Sequence, residues 1–172
     1  MARTGKINPM QSYIIHTDGA CHGNPGPGGY AALIKQGGQR REISGGYRLT
    51  TNNRMELLAA ITALESLPSP ATVTLFSDSR YLVDAVNQGW LESWHAKGWK
   101  RGTRPIPNAD LWKRLMTQNS RHKVTYRWVE GHAGDPDNER CDRLAVQAAS
   151  RKDLPPDPGY TPNAPAPQPS LF

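Results

Sequence analysis

Apolar and polar positions along this chain alternate in a way that predicts short strands first and helices after them. Residues 12–17 are rich in β-forming side chains and run into Asp18, which reads as a first strand. Residues 30–35 and 40–47 read as two more, joined by a turn at Gly37-Gly38; connections this short favour an antiparallel meander. Between the first two, the run Gly23-Asn24-Pro25-Gly26-Pro27-Gly28-Gly29 is expected to break regular structure.

Residues 52–66 carry Leu57, Leu58, Ile61 and Leu64 at helical spacing, with Thr51 or Asn52 able to cap the helix and Pro68 and Pro70 beyond its end. Residues 71–77 form a continuous β run of the kind found in buried strands. A short helix over 81–87, stopped by Gly89, follows. Residues 90–106 are rich in Trp, Lys and Arg with weak periodicity. A helix over 110–118 with Asn108 as its cap, a fifth strand over 124–129 and a helix over 136–151 opened by Pro136 complete the pattern. The expected fold is α/β, a mixed five-stranded sheet of three antiparallel strands plus parallel ones, flanked by helices.

Composition sets the limits of this domain. An apolar share of 37% and a charged share of 21% in 172 residues suit one globular unit. Residues 11–152 are read as that unit, and 1–10 as a flexible N-terminus without the apolar core of a signal peptide. From Asp153 onward the chain has seven prolines in twenty residues and neither Lys nor Arg, and is expected to be a disordered tail tending to polyproline II. The longest apolar stretch, near Leu57 to Leu64, is interrupted by Thr62 and falls short of a bilayer span. A cytoplasmic, monomeric protein is the expectation. Cys21 and Cys141 are too few for a disulfide scaffold or a zinc site and read as free thiols.

Charge changes the picture more than composition does. Of the net +6, the stretch from His95 to Lys123 holds +7, because eight basic residues face only Asp110 there; the remainder sums to −1. A positive field confined to one region suits a polyanion gripped in one place, although a solvated helix face would look the same.

Asp18 and Asp78 follow strands whose ends can share one sheet edge, where open α/β sheets place their sites. Glu56 lies early in a helix that is otherwise largely apolar, and Asp142 lies inside the last one. Each has an ordinary local explanation as a turn, cap or surface residue. Brought together, four carboxylates would repel one another unless a cation neutralised them, and oxygen-only ligands suit Mg²⁺, with Mn²⁺ as a substitute. His132, in Glu130-Gly131-His132-Ala133-Gly134, sits in a glycine-flanked loop and can move protons near neutral pH. The glycine-rich run at 23–29 lacks the Gly-Lys-Ser/Thr ending of a phosphate loop, and its prolines remove amide donors, so no nucleotide-binding role is assigned to it.

Five blocks then carry a resemblance to bacterial type-1 ribonuclease H. They are Thr17-Asp18-Gly19-Ala20-Cys21 with the glycine run up to Tyr30; Thr50-Thr51-Asn52-Asn53-Arg54-Met55-Glu56-Leu57; Ser77-Asp78-Ser79; Gly98-Trp99-Lys100; and Val129-Glu130-Gly131-His132-Ala133-Gly134 running on to Asn138-Glu139-Arg140-Cys141-Asp142. They stand in the family's order over residues 13–149.

The resemblance implies a ribonuclease-H-like fold and an endonuclease that hydrolyses the RNA strand of RNA–DNA hybrids. It implies two-metal-ion catalysis leaving 5′-phosphate and 3′-hydroxyl ends, with Asp18, Glu56, Asp78 and Asp142 as metal ligands and His132 assisting proton transfer or product release. Cys21, Asn24, Asn52 and Asn53 match positions lining the hybrid's minor groove, and Thr51 and Asn108 match a pocket for a DNA-strand phosphate. Residues 90–106 match a basic protrusion, with Trp90, Trp94 and Trp99 as a small satellite cluster stiffening it and Trp90, Lys97, Trp99, Lys100 and Arg101 facing the DNA strand.

Three departures bear on substrate contacts: Leu49 where relatives often carry Arg, Arg80 where Gln is usual, and His95-Ala96 within a run that is otherwise Lys-rich. The acids and the length argue against a transposase core, and their retention together with His132 against a catalytically silent hybrid-binding module. Gln168, Leu171 and Phe172 end the chain in a pattern resembling the peptide by which bacterial replication proteins bind the sliding clamp.

Overall fold

The computed structural model describes residues 10–162. Three strands open it, β1 (Gln11–Cys21), β2 (Gly26–Gln36) and β3 (Gln39–Thr50), followed by α1 (Asn52–Glu65), β4 (Ala71–Ser77), α2 (Arg80–Asn87) and α3 (Trp90–Ala96). A two-stranded hairpin, β5 (Lys100–Arg101) and β6 (Arg104–Pro105), precedes α4 (Ala109–Arg121), β7 (Lys123–Trp128) and α5 (Pro136–Ala149). The main sheet has five strands in the order β3-β2-β1-β4-β7. β1 pairs antiparallel with β2 and β2 with β3, whereas β4 runs parallel to both β1 and β7. The mixed five-stranded sheet expected from the sequence is what forms.

α1 packs across β1, β2 and β3, and α4 covers α1 from outside. Sandwiched in this way, α1 is buried on nearly every side, from Arg54 to Leu64. α5 packs across β1, β2 and β3 from the opposite face. Because α5 does not extend over β4, that strand alternates: Ala71, Val73, Leu75 and Ser77 are buried, while Thr72, Thr74 and Phe76 are half-buried. It is therefore less enclosed than its unbroken β run predicted.

The glycine run departs from expectation in its second half, since β2 already begins at Gly26. Side chains at Gly28 and Gly29 would collide with Thr50 and with the α5 backbone, so the run is a strand shaped for close packing. The tryptophans also differ from expectation. Trp94 and Trp112 pack with tilted rings, centroids 5.5 Å apart, inside the main core, with Trp90 and Trp99 packed against it, so the protrusion is rooted in the core and has no separate cluster.

The tail departs further. Through its first eight residues it lies against the domain: Arg48 donates its N–H to the Pro155 carbonyl at 3.0 Å, and Asp157 is buried. Arg54, the buried cation of α1, supplies the reason, because a charge there requires carboxylate partners. The N-terminal residues 1–9 and the end of the tail, including Gln168, Leu171 and Phe172, lie outside the described residues. Both cysteines are free thiols.

Candidate active site

Asp18 and Asp78 reach one edge of the sheet because β1 and β4 are parallel neighbours, with Thr17 opposite Ser77. Gly19 sets the third member. A Cβ there would come within 2.5 Å of the Glu56 backbone nitrogen, so only glycine lets α1 lie this close to the strand and bring Glu56 beside Asp18. The helix starts on Thr51, whose hydroxyl accepts the Arg54 N–H at 3.3 Å, which fixes Glu56 in the second turn. Ser79, not Asp78, caps α2, with its hydroxyl accepting from the Leu82 N–H. Asp78 is thereby left free for the site.

Asp18, Glu56 and Asp78 can each offer one oxygen such that all three lie within 4.8 Å of one another. Asp18 and Glu56 are buried and Asp78 is half-buried. Asp142 stands further off on α5 and acts on Asp18 and Asp78 through its charge. Burial and then the charge of Asp78 push the Asp18 carboxyl up to about 8, against 3.8 for an ordinary aspartate. Burial also raises Asp78, and burial together with Asp18 and Asp78 raises Glu56 well above the carboxylate range.

Glu56 Oε2 is buried with no hydrogen-bond partner, an arrangement that costs free energy unless something fills it. An orphaned oxygen amid clustered carboxylates, without nitrogen or sulfur donors, fits a hard divalent cation. A second cluster, His16, Asp135 and Asp137, is different. Asp137 there already pairs with Lys35 at 2.5 Å and Arg40 at 3.4 Å, so protein cations balance its charge.

Around the carboxylates the other expected residues fall into three places. His132 is exposed on the loop before α5, in the left-handed backbone region at φ 57°, and its charge is felt at Asp78. Asn24 accepts the Asn52 backbone N–H through its side-chain oxygen at 3.2 Å, and the Cys21 thiol, with its single S–H, lies within reach of the carbonyls of Gly26 and Thr50, which gathers Cys21, Asn24, Thr51 and Asn52 at one end of α1, with Asn53 exposed beside them. Asn108 approaches the same end from α4, held by the Arg54 guanidinium. The protrusion stands apart: Lys97, Lys100 and Arg101 are exposed on α3's C-cap and the β5–β6 hairpin, with Trp90 and Trp99 half-buried behind them.

Three residues at the site escaped the sequence reading. Trp128 donates its indole N–H to the Asp78 carbonyl at 3.0 Å, and the Arg80 guanidinium stacks over that ring at 3.9 Å. Arg54 and Asp157 are the others. A tryptophan ending a strand beside Asp78 was a usable signal, whereas nothing local announces a pairing across 103 residues.

The comparisons agree with this geometry. The RNase H family model matches residues 10–150. The chain belongs to the ribonuclease H family. It is 58% identical over 158 residues to the Ribonuclease H of Syntrophus aciditrophicus, covering 91% of each chain. It is 54% identical to that of Trichodesmium erythraeum, covering 85% of this chain and 94% of the relative. Among solved structures, LC9-RNase H1, described as a type 1 RNase H with the type 2 active-site motif, superposes with a TM-score of 0.75 at 34% identity, over 83% of this chain and 74% of that one. LC11-RNase H1 in complex with RNA/DNA hybrid shares the fold at a TM-score of 0.62 and 24% identity, over 80% and 96% of the two chains. This ribonuclease H is accordingly an endoribonuclease, a phosphodiester hydrolase. Among the described residues no helix is long and apolar enough to cross a membrane.

Proposed function

We propose that this ribonuclease H cuts the RNA strand of RNA–DNA hybrids with Mg²⁺, held by Asp18, Glu56, Asp78 and Asp142, leaving 5′-phosphate and 3′-hydroxyl ends. The observation that carries the reading is the trio of mutually close carboxylates with an orphaned Glu56 oxygen. When bound, two such ions supply water activation and neutralise charge building on the phosphate oxygens.

The chain's own residues do the rest. Asp18, Glu56 and Asp78 set where the scissile phosphate docks, and Asp142 adds negative charge from α5. His132, exposed on its loop, carries a proton toward the departing 3′-oxygen. Cys21, Asn24, Asn52 and Asn53 face the wide minor groove of the hybrid, where short polar groups can read 2′-hydroxyls. Thr51, at the positive end of the 14-residue helix α1, and Asn108 take a phosphate of the DNA strand. Lys97, Lys100 and Arg101, with Trp90 and Trp99, grip that strand further along without reading its sequence.

The test is a substrate panel of RNA–DNA hybrid, duplex DNA and single-stranded RNA, with product ends identified by phosphatase and ligase treatment. Cleavage confined to the RNA of the hybrid, with ligatable 5′-phosphates, is expected. Equal cutting of single-stranded RNA, or 2′,3′-cyclic ends, would refute the reading.

The terminal Gln168, Leu171 and Phe172 add a second partner to this proposal, a sliding clamp. Co-purification with clamp is expected to be lost in a chain ending at Gln168; equal retention would remove the idea.

A further inference from the structure

The Arg54 guanidinium has five N–H donors, and all five are engaged. Nε donates to Asp157 Oδ2 at 2.7 Å and one terminal nitrogen to Asp157 Oδ1 at 3.1 Å. Two bonds of 2.7 and 2.9 Å reach Asp110, and one of 3.3 Å reaches the Asn108 side-chain oxygen. Arg54 is 3% exposed, and two carboxylates more than offset its charge, so it has no donor left for a substrate phosphate. Its position makes it a bracket instead. Its backbone N–H is the one capped by Thr51, and its side chain holds Asn108, whose own amide donates to the Tyr81 hydroxyl at 2.9 Å.

Asp157 closes the bracket from the tail. Besides Arg54 it accepts the Thr50 hydroxyl at 2.7 Å, next in sequence to Thr51, and its neighbour Gly159 donates a backbone N–H back to it at 3.1 Å. A side chain at Gly159 would strike Asp110 and Arg54, so the tail segment is fitted to this network. We propose that Asp157, acting through Arg54, is a positioning residue for the pocket in which Thr51 and Asn108 take a DNA-strand phosphate. This rests on the phosphate-pocket reading given above. The tail's first turn thus fixes the spacing between the N-termini of α1 and α4, and with it the affinity for hybrid.

The experiment uses the full chain and hybrids carrying one neutral methylphosphonate at successive DNA-strand positions. In the unaltered enzyme one position should raise KM by about tenfold, the size of one charge-assisted hydrogen bond. Asp157→Asn should raise KM on the unmodified hybrid by a similar factor, leave kcat within about twofold, and abolish sensitivity at that position. The salt dependence of KM should keep its slope, because Thr51 and Asn108 carry no charge whose loss would alter counterion release. Gly159→Ala, which keeps every charge, should move KM the same way and serves if Asp157→Asn does not fold. If Asp157→Asn and Gly159→Ala lower thermal stability but keep the original KM and methylphosphonate profile, Asp157 is merely structural and the proposal fails. If Thr51→Ala is also without effect and no position is sensitive, the pocket reading itself fails and the proposal falls with it.

Discussion

Asp18 shares its site with two other carboxylates, and that crowding has a measurable consequence before any substrate arrives. Its carboxyl titrates near 3.8 when unfolded and is pushed up to about 8 when folded by burial and by Asp78. The folded state therefore gains stability from this group at low pH and loses it as pH rises from about 4 to about 8. In EDTA, Tm should decline across that window, Asp18→Asn should flatten the decline, and added Mg²⁺ should restore stability at pH 8. Calorimetric scans from pH 5 to 8.5 check this; identical slopes for wild type and variant would contradict it. At this scale the sequence was legible where a motif carries the acid, as with Asp18, Glu56 and Asp78, whose oxygens the fold brings within 4.8 Å of one another. It was silent where a partner is distant, as with Arg54 and Asp157, or where a neighbouring strand presents it, as with Trp128 to Asp78.

The strands and helices of the sheet were readable because period-2 and period-3.6 patterns are local. β4 appears in the structure with the bounds its β run predicted. The protrusion was harder, since a seven-residue helix and a hairpin of two-residue strands are too short to show a period. Its tryptophans read as a separate cluster because Trp112, which joins Trp94 to the core, lies eighteen residues downstream. Trp94→Ala should accordingly cost about 3–5 kcal/mol of global stability by denaturant unfolding, as a core cavity does, whereas a satellite residue would cost far less. Replacing Lys97, Lys100 and Arg101 together by Ala should raise KM, keep kcat, and reduce the slope of log KM against log salt by about two to three units. An unchanged salt slope would remove the protrusion from the hybrid interface.

Across the whole molecule the parts divide the work by distance from the sheet edge. Parallel β1 and β4 carry two acids to one end, α1 adds a third, and α5 supplies a fourth together with the loop of His132. The α1 N-terminus and the protrusion lie outside this centre and carry the residues proposed to contact the hybrid. The tail buries Asp157 against Arg54 of α1, which also pairs with Asp110 of α4, an arrangement its proline content concealed because composition reports average behaviour and misses one buried carboxylate.

The most direct test of this arrangement is single-turnover cleavage of an RNA-labelled hybrid, at saturating enzyme, across a Mg²⁺ titration for wild type and Asp78→Asn. The account predicts cleavage that requires Mg²⁺ in wild type and a loss of at least about 100-fold in the variant at every concentration, with hybrid binding retained. Mg²⁺-independent cleavage, or equal rates for the two proteins, would contradict it.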